Sequence, residues 1–195
     1  MAIAVDATSA ASGSAGTTVT WAHTCAAGSI LLVIAGGVDT AEITGATYNG
    51  SAMTQVVVVD SGREVDGFIH LTPSSGSNNI VVTKASGVEI DCGAISFTGA
   101  GASDATNTGT GAGTSQSLTV TTNGTGNGYV VTCMNINDPG AITYGGSGTE
   151  WSNTTAGGGG ASFVYKAYTS GGNISESWTS TNSRGWAAVG VEIKE

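Results

Sequence analysis

Carboxylates, histidines, cysteines and indoles are the residues of this chain with chemistry to offer, and each group can be held against what that chemistry requires. Glycoside hydrolysis needs two carboxyl groups flanking one bond. Glu89 and Asp91 stand two apart in an extended run and so share a face, while Asp60, Glu64 and Asp66 gather about a turn, where hard oxygen ligands also suit calcium. Both spacings are equally those of a solvated sheet face or an acidic loop. With no EF-hand loop or repeat-type calcium motif beside them, no catalytic pair and no metal is assigned. His23 and His70 lie in separate strand-like runs, and His23 falls on the face of Val19 and Trp21, the place of a packed ring. Serines abound without a Gly-x-Ser-x-Gly elbow, so acyl transfer has no support. Cys25, Cys92 and Cys133 have neither Cys-x-x-Cys nor metal-ligand spacing. Each sits in or beside an apolar run and reads as a buried small hydrophobe, with one disulfide plus one free thiol as the alternative. The sequence implies no enzyme and no cofactor.

Rings could do a different job. Trp21, Trp151, Trp178 and Trp186, together with the tyrosines, could build a sugar-stacking platform on a β-sheet. Trp21 and Trp186 fall within strand-like runs, which makes them core fillers. Trp151 adjoins the Gly-rich stretch 153–162 and is the indole expected to be exposed, hence the candidate binding aromatic.

The elements that would position these groups are strands. No dozen residues keep helical apolar spacing without Gly, β-branched or Ser/Thr interruption, whereas short β-branched runs recur between turn signals. The runs are 19–24, 30–35, 43–48, 52–60, 65–72, 79–84, 88–97, 117–122, 129–136, 142–144, 162–168, 174–179 and 186–193. That number implies two packed sheets: an all-β, jelly-roll-like antiparallel β-sandwich. Asn49-Gly50 is the dipeptide of a two-residue hairpin, because both turn positions require positive φ; Tyr48 and Met53 flank it. Its exact geometry fixes register where little charge patterning exists to do so. In 186–193, Ala187, Val189, Val191 and Ile193 alternate with Trp186, Ala188, Gly190 and Glu192, as in a strand covering a core on one side. In 88–97 the parity changes, since Val88, Ile90 and Cys92 give way to Ile95 and Phe97, and a bulge at Cys92-Gly93 is expected. Residues 98–117, a Gly/Thr/Ser/Ala tract, are expected to form a long crossover, 153–162 a second flexible loop and 1–16 a flexible N-terminal arm. Residues 17–195 then form a single domain.

Totals narrow the milieu. Charged residues are only 10% of the 195, with 32 Gly, 2 Pro and a mean hydropathy of +0.14, which describes ordered, neutral-polar β structure rather than disorder. Five basic against fourteen acidic residues give a net charge of -9, which repels phosphate backbones; nucleic acid is not an expected partner. The N-terminal stretch has no basic region followed by an apolar core, and the apolar run 30–38 is too short to span a bilayer, so neither signal peptide nor membrane partner is expected.

The order of signals adds a resemblance. "TVTWAHT", "ILLVIAGGV", "ITGATYNGSAMTQV", "GFIHLTPSSGSNNIVVT", "CGAISFTGA" and "RGWAAVGVEIK" are similar to a β-sandwich family of phage virion proteins and modules of large bacterial surface proteins. The family's recurrent pattern falls on Tyr48, Asn49, Gly50, Met53 and Thr54, on Gly93, Ala94, Ser96, Phe97 and Gly99, and on Trp186, Ala187, Val189, Gly190 and Val191. Cys92, Cys133 and the "FIHL" segment depart from it. The resemblance implies a structural role in a virion, either capsid decoration or a tail or fibre component. Its partners would be major capsid or tail proteins and further copies of itself, as a trimer or larger. The alternative is a carbohydrate-binding sandwich that attaches to a host or cell-surface glycan.

Overall fold

Turn residues divide the chain into strands wherever β-branched runs meet Gly, Asn or Ser. The structure, a computed structural model, describes residues 2–14, 16–37, 43–85, 89–123, 126–137, 142–156 and 159–195. The strands are β1 (Ala4–Gly13), β2 (Thr18–Cys25), β3 (Ile30–Gly37), β4 (Ile43–Tyr48) and β5 (Ser51–Ala52). They continue as β6 (Thr54–Asp60), β7 (Glu64–His70), β8 (Gly76–Lys84), β9 (Ile90–Thr98) and β10 (Ala102–Thr121). The last five are β11 (Gly128–Ile136), β12 (Ile142–Tyr144), β13 (Thr149–Ala156), β14 (Gly159–Tyr168) and β15 (Asn173–Lys194).

All pairings are antiparallel, and the class is the expected all-β sandwich, with three sheets rather than two. A central sheet runs β1-β9-β3-β7-β6, a second β2-β8-β4-β5, and a third β10-β15-β11-β14-β13 with β12 on β15. Alternate residues of the central sheet feed two cores. Leu31, Val33, Phe68 and Cys92 pack against Val19, Tyr48, Ile80 and Val82 of the second sheet. Leu32, Ile34, Ile95 and Phe97 pack against Val131, Phe163, Val189 and Val191 of the third.

Burial on both faces explains the broken parity of β9. The register of β9 on β3 runs without a shift from Ile90 to Phe97, so the bulge expected at Cys92-Gly93 is absent. Cys92 and Ala94 face one core while Ile95 and Phe97 face the other, and a strand with two buried faces has no phase to restore. The same correction applies to the end of β15. Ala187, Val189, Val191 and Ile193 face the central sheet as their alternation predicts, but Ala188 and Glu192 on the opposite face are also fully buried.

What covers that second face is the tract expected to be a crossover. Residues 102–121 are strand β10, which pairs along β15 as a long ribbon. The register breaks between Gly113 and Ser115, opposite residues 180–183, which lie outside the ladder. Gln116 Nε2 braces this corner by donating to Gly113 O (2.9 Å) and Ser180 Oγ (3.0 Å). Beyond it the ribbon doubles back over the third sheet: Leu118 and Trp178 join Met134, Val164 and Ala188, and Val120 joins Val130 and Tyr168. Asn107 Nδ2, before the corner, donates to Thr119 O, after it, at 2.6 Å. The flexible arm expected over 1–16 is likewise structured over Ala4–Gly13, where β1 lies along β9 as an edge strand. The expected loop 153–162 is occupied by the ends of β13 and β14, and residues 157–158 between them lie outside the described residues. Val88 of the predicted strand 88–97 is also outside them.

At the hairpin, Tyr48 pairs with Ser51 and the two turn residues have φ of 49° at Asn49 and 77° at Gly50. Nothing lies within 4 Å of where a Gly50 Cβ would stand, so the cost of a side chain there is purely conformational. Gly50→Ala is expected to lose about 1–2 kcal/mol of unfolding free energy, read as a lower urea midpoint with an unchanged slope.

Candidate functional site

The carboxylates come first because their placement departs most from expectation. Glu89 and Asp91, spaced like a solvated face, are both buried, and Asp91 is fully so. Asp91 points into the core beneath the third sheet, at the end where Arg63 Nε donates to Asn135 Oδ1 (2.6 Å). Burial pushes its carboxyl up to about 6; neighbouring Glu89 pushes the same way, and Arg63 opposes it. The turn cluster separates: Asp60 is exposed, while Glu64 and Asp66 face the second sheet. Glu64 Oε2 accepts Ile43 N at 2.9 Å and Asp66 Oδ1 accepts Gln55 Nε2 at 2.7 Å; burial raises both carboxyls above their ordinary range. Glu64, Asp66, Glu89 and Asp91 are thus enclosed rather than presented to a cleft. No cluster of three or more His, Cys, Asp or Glu suited to a metal occurs among the described residues.

Two further acids lie under the folded-back ribbon. Glu192, fully buried, accepts the Tyr168 hydroxyl and the main-chain N–H groups of Ala105 (3.1 Å) and Asn123 (3.2 Å). Glu176 accepts the Tyr144 hydroxyl and lies 3.9 Å from Lys166 Nζ. Among the described residues, two basic and six acidic side chains are buried: Arg63, Lys84, Glu64, Asp66, Glu89, Asp91, Glu176 and Glu192. The outer surface is consequently even poorer in charge than the composition.

His23 is the packed ring that its strand face predicts, 2% exposed. What the sequence did not show is its company. Ser9 Oγ lies 2.8 Å from Nδ1, Ser96 Oγ lies 3.2 Å from Nε2, Trp21 Nε1 donates to Ser9 Oγ (2.9 Å) and Ser96 Oγ donates to Asp6 Oδ2 (2.9 Å). Serine, histidine and aspartate are thus within one chain of hydrogen bonds. The order is wrong for a nucleophile, because the acid binds serine rather than the ring and Ser96 is fully buried. Burial lowers His23 to about 4, with Asp6 opposing, so at neutral pH the ring is uncharged.

Trp151 is half-buried, with its indole packed against Phe163 (ring centroids 5.7 Å) and Tyr165 (6.0 Å) at the rim of the core. It is not the exposed aromatic that its Gly-rich neighbourhood predicts. Trp178 is buried with Nε1 on Ser162 Oγ (2.9 Å), and no Trp, Tyr or Phe of the chain is exposed. The hairpin residues serve packing: Tyr48 is fully buried, its hydroxyl between His23 O (3.1 Å) and Gly76 O (3.0 Å), and Met53 N donates to Ala46 O. Cys25, Cys92 and Cys133 are free thiols in the cores. A groove of about 440 Å³ between the edges β6 and β10 is lined by Val56, Ile69, Leu71 and Ala102, with His70 the sole ionisable group on its wall. His70 Nδ1 accepts Thr72 N (3.3 Å), and no carboxylate reaches the groove to pair with it.

The geometry defines a class, an antiparallel β-sandwich with a sparsely charged surface, and comparisons with known proteins take it no further. No family model matches the chain, and no curated protein matches its sequence. Among solved structures, the major capsid protein P2 from Bacteriophage PM2 aligns over 96% of this chain and 97% of its own, at 8% identity and a TM-score of 0.26, too slight a likeness to argue from.

Proposed function

We propose that the chain is a non-enzymatic virion structural protein, a capsid decoration protein or a tail or fibre component of a phage, that docks by many weak contacts on a repeated lattice. The observation that carries this reading is how sparse charge is on the described surface. A soluble domain ordinarily carries about 25–35% charged residues on its exterior, which holds copies apart. Here the whole chain has 10%, and eight of those side chains are inside. Hydroxyls take their place: on the outer face of the ribbon Ser117, Ser175 and Ser177 are exposed beside Thr119, whose Oγ1 lies 2.7 Å from Ser175 Oγ. Such a face forms wet, hydrogen-bonded contacts that are individually weak, and a lattice of copies multiplies them. The resemblance in the hairpin, β9 and the end of β15 supplies the virion milieu, with synthesis in the host cytoplasm and incorporation into the particle.

Light scattering of the purified chain, followed by co-sedimentation with purified virions or empty capsids, tests the proposal. An oligomer of three or more copies that sediments saturably with particles is the expected result. A monomer that ignores particles and is retained on a polysaccharide column overturns it in favour of glycan attachment. Glycan attachment would instead require an outward row of rings.

A further inference from the structure

The Ser9–His23–Ser96–Asp6 chain joins three strands of two sheets and belongs to no candidate site. Its hydrogen-bond directions can be worked out from its ends. Ser96 has one hydroxyl proton, and it goes to Asp6, so Ser96 Oγ can only accept from His23 Nε2–H. The neutral ring then carries no proton at Nδ1, which accepts from the Ser9 hydroxyl, and Ser9 Oγ in turn accepts from Trp21 Nε1–H. Each bond thus has one direction, and one added proton at Nδ1 ends the bond that the Ser9 hydroxyl donates to the ring.

The strand held by this chain lies at an edge, paired along β9, with Val5 packed against one core and Ala11 against the other. None of the ten residues of β1 is buried; their exposure alternates between full and half along its length. Beyond its ladder on β9, β1 is fastened by polar ties: Asp6 Oδ2 to Ala26 N (2.7 Å), Ser9 to His23 and Trp21, and Gly13 O to Lys84 Nζ (3.2 Å). The tie through His23 changes when acidification adds a proton to the ring.

We infer that His23 is an acid-opened clasp that fastens the N-terminal strand β1 to the sandwich, and that its protonation releases β1 while the cores stay folded. The groups facing it allow this. Asp6 from β1 is the charged group acting on the ring. From the other packed elements come Ser96 of β9, the Tyr48 hydroxyl of β4 on the His23 carbonyl, Asn78 of β8 across the ladder and Cys25 on its own strand. His70 of β7 is a step further, edge-on to Tyr48. None is a second carboxylate positioned to stabilise an imidazolium in the closed state. Release of β1 opens the ring to water and restores its ordinary proton affinity. A pKa of about 4 when closed against 6.5 when open means that acidification from pH 7 to pH 4 favours the open strand by roughly 100-fold. The core acids respond in the opposite sense, since Asp91, Glu64 and Asp66 have raised pKa values and bind protons more readily in the folded state. Acid therefore loosens the edge without loosening the centre.

Hydrogen exchange followed by mass spectrometry, corrected for intrinsic rates, tests this on the whole chain. Between pH 7 and pH 4, residues 4–13 are expected to lose at least tenfold of their protection relative to residues 30–37 of β3. In His23→Gln, which accepts no proton, that loss disappears; in Ser9→Ala, β1 is already less protected at pH 7. Loss of protection in step across β1 and β3, no change at β1, or an undiminished acid response in His23→Gln overturns the inference. Should His23→Gln fail to fold, the wild-type imidazole resonances decide: the inference requires His23 to titrate together with β1 exposure, and independent titration refutes it.

Discussion

Gly93→Ala is expected to lower the stability of the fold by about 3 kcal/mol, a fall in melting temperature of roughly 6–12 °C for a chain of this length. Gly93 sits in β9 on the face turned toward the third sheet, between Asp91 and Ile95. A Cβ built there would stand 2.5 Å from Phe163 Cδ1, 2.8 Å from Cγ and 2.9 Å from Cε1, well inside contact distance. The ring is fully buried among Val131, Cys133 and Ala161 and packed against Trp151, so it has no free space to swing into. Either the sheets separate locally or the ring leaves its rotamer, and both cost energy. The paired variant identifies the cause. Phe163→Leu removes the flat ring edge that Gly93 accommodates, so it is expected to destabilise the wild type but to recover part of the loss in the Gly93→Ala background, a non-additivity of about 1–2 kcal/mol. Additive losses, or an alanine variant as stable as wild type, would show that β9 yields at this point and that the glycine is there for another reason.

That contact also shows where the sequence could and could not be read. The hairpin was legible because Asn49-Gly50 encodes its own backbone angles, and β3, β7, β11 and β14 because runs of branched side chains have few other uses. β1 and the first half of β10 escaped, since AVDATSAASG and ASDATNTGTGAG carry Ala, Ser, Thr and Gly that resemble a linker locally. Those segments become strands by pairing with β9 and β15, partners distant in sequence, so the decisive contact is non-local. The candidate site failed for a related reason. A carboxylate two residues from another looks solvated only when one sheet face meets water. In a central strand both faces are covered, and Asp91 is carried inside by its position in the register with Gly36 rather than by anything in its own neighbourhood. His23 was legible as a packed ring from the company of Val19 and Trp21, but Ser9 and Ser96 reach it from two other strands, and no local spacing encodes that meeting.

Asp91 gives the second large effect, one that pH separates from packing. Its folded-state carboxyl is raised from 3.8 to about 6, first by burial, so the folded protein holds this proton more tightly than the unfolded chain. For an acid shifted in that direction the stabilising contribution is fully present below the unfolded value and is lost as pH rises through the folded one. Over that window Asp91 costs the fold about 3 kcal/mol by the time the carboxylate is ionised. Asp91→Asn keeps the volume and the hydrogen-bonding ability but has no proton to lose. The difference in unfolding free energy between variant and wild type is therefore expected to grow by about 3 kcal/mol in favour of the variant between pH 4 and pH 8, measured by urea denaturation. His23 makes the comparison sharper. Its folded value is lowered from 6.5 to about 4, so its contribution runs the other way and is lost as pH falls. In the wild type the histidine slope partly offsets the carboxyl slopes of Asp91, Glu64 and Asp66 across overlapping windows. Asp91→Asn removes one carboxyl slope only, since Glu64 and Asp66, also raised by burial, still oppose the histidine slope in the variant. Parallel stability curves for the two proteins would mean that Asp91 ionises without penalty, and that Thr154 and Arg63 compensate the buried charge in full.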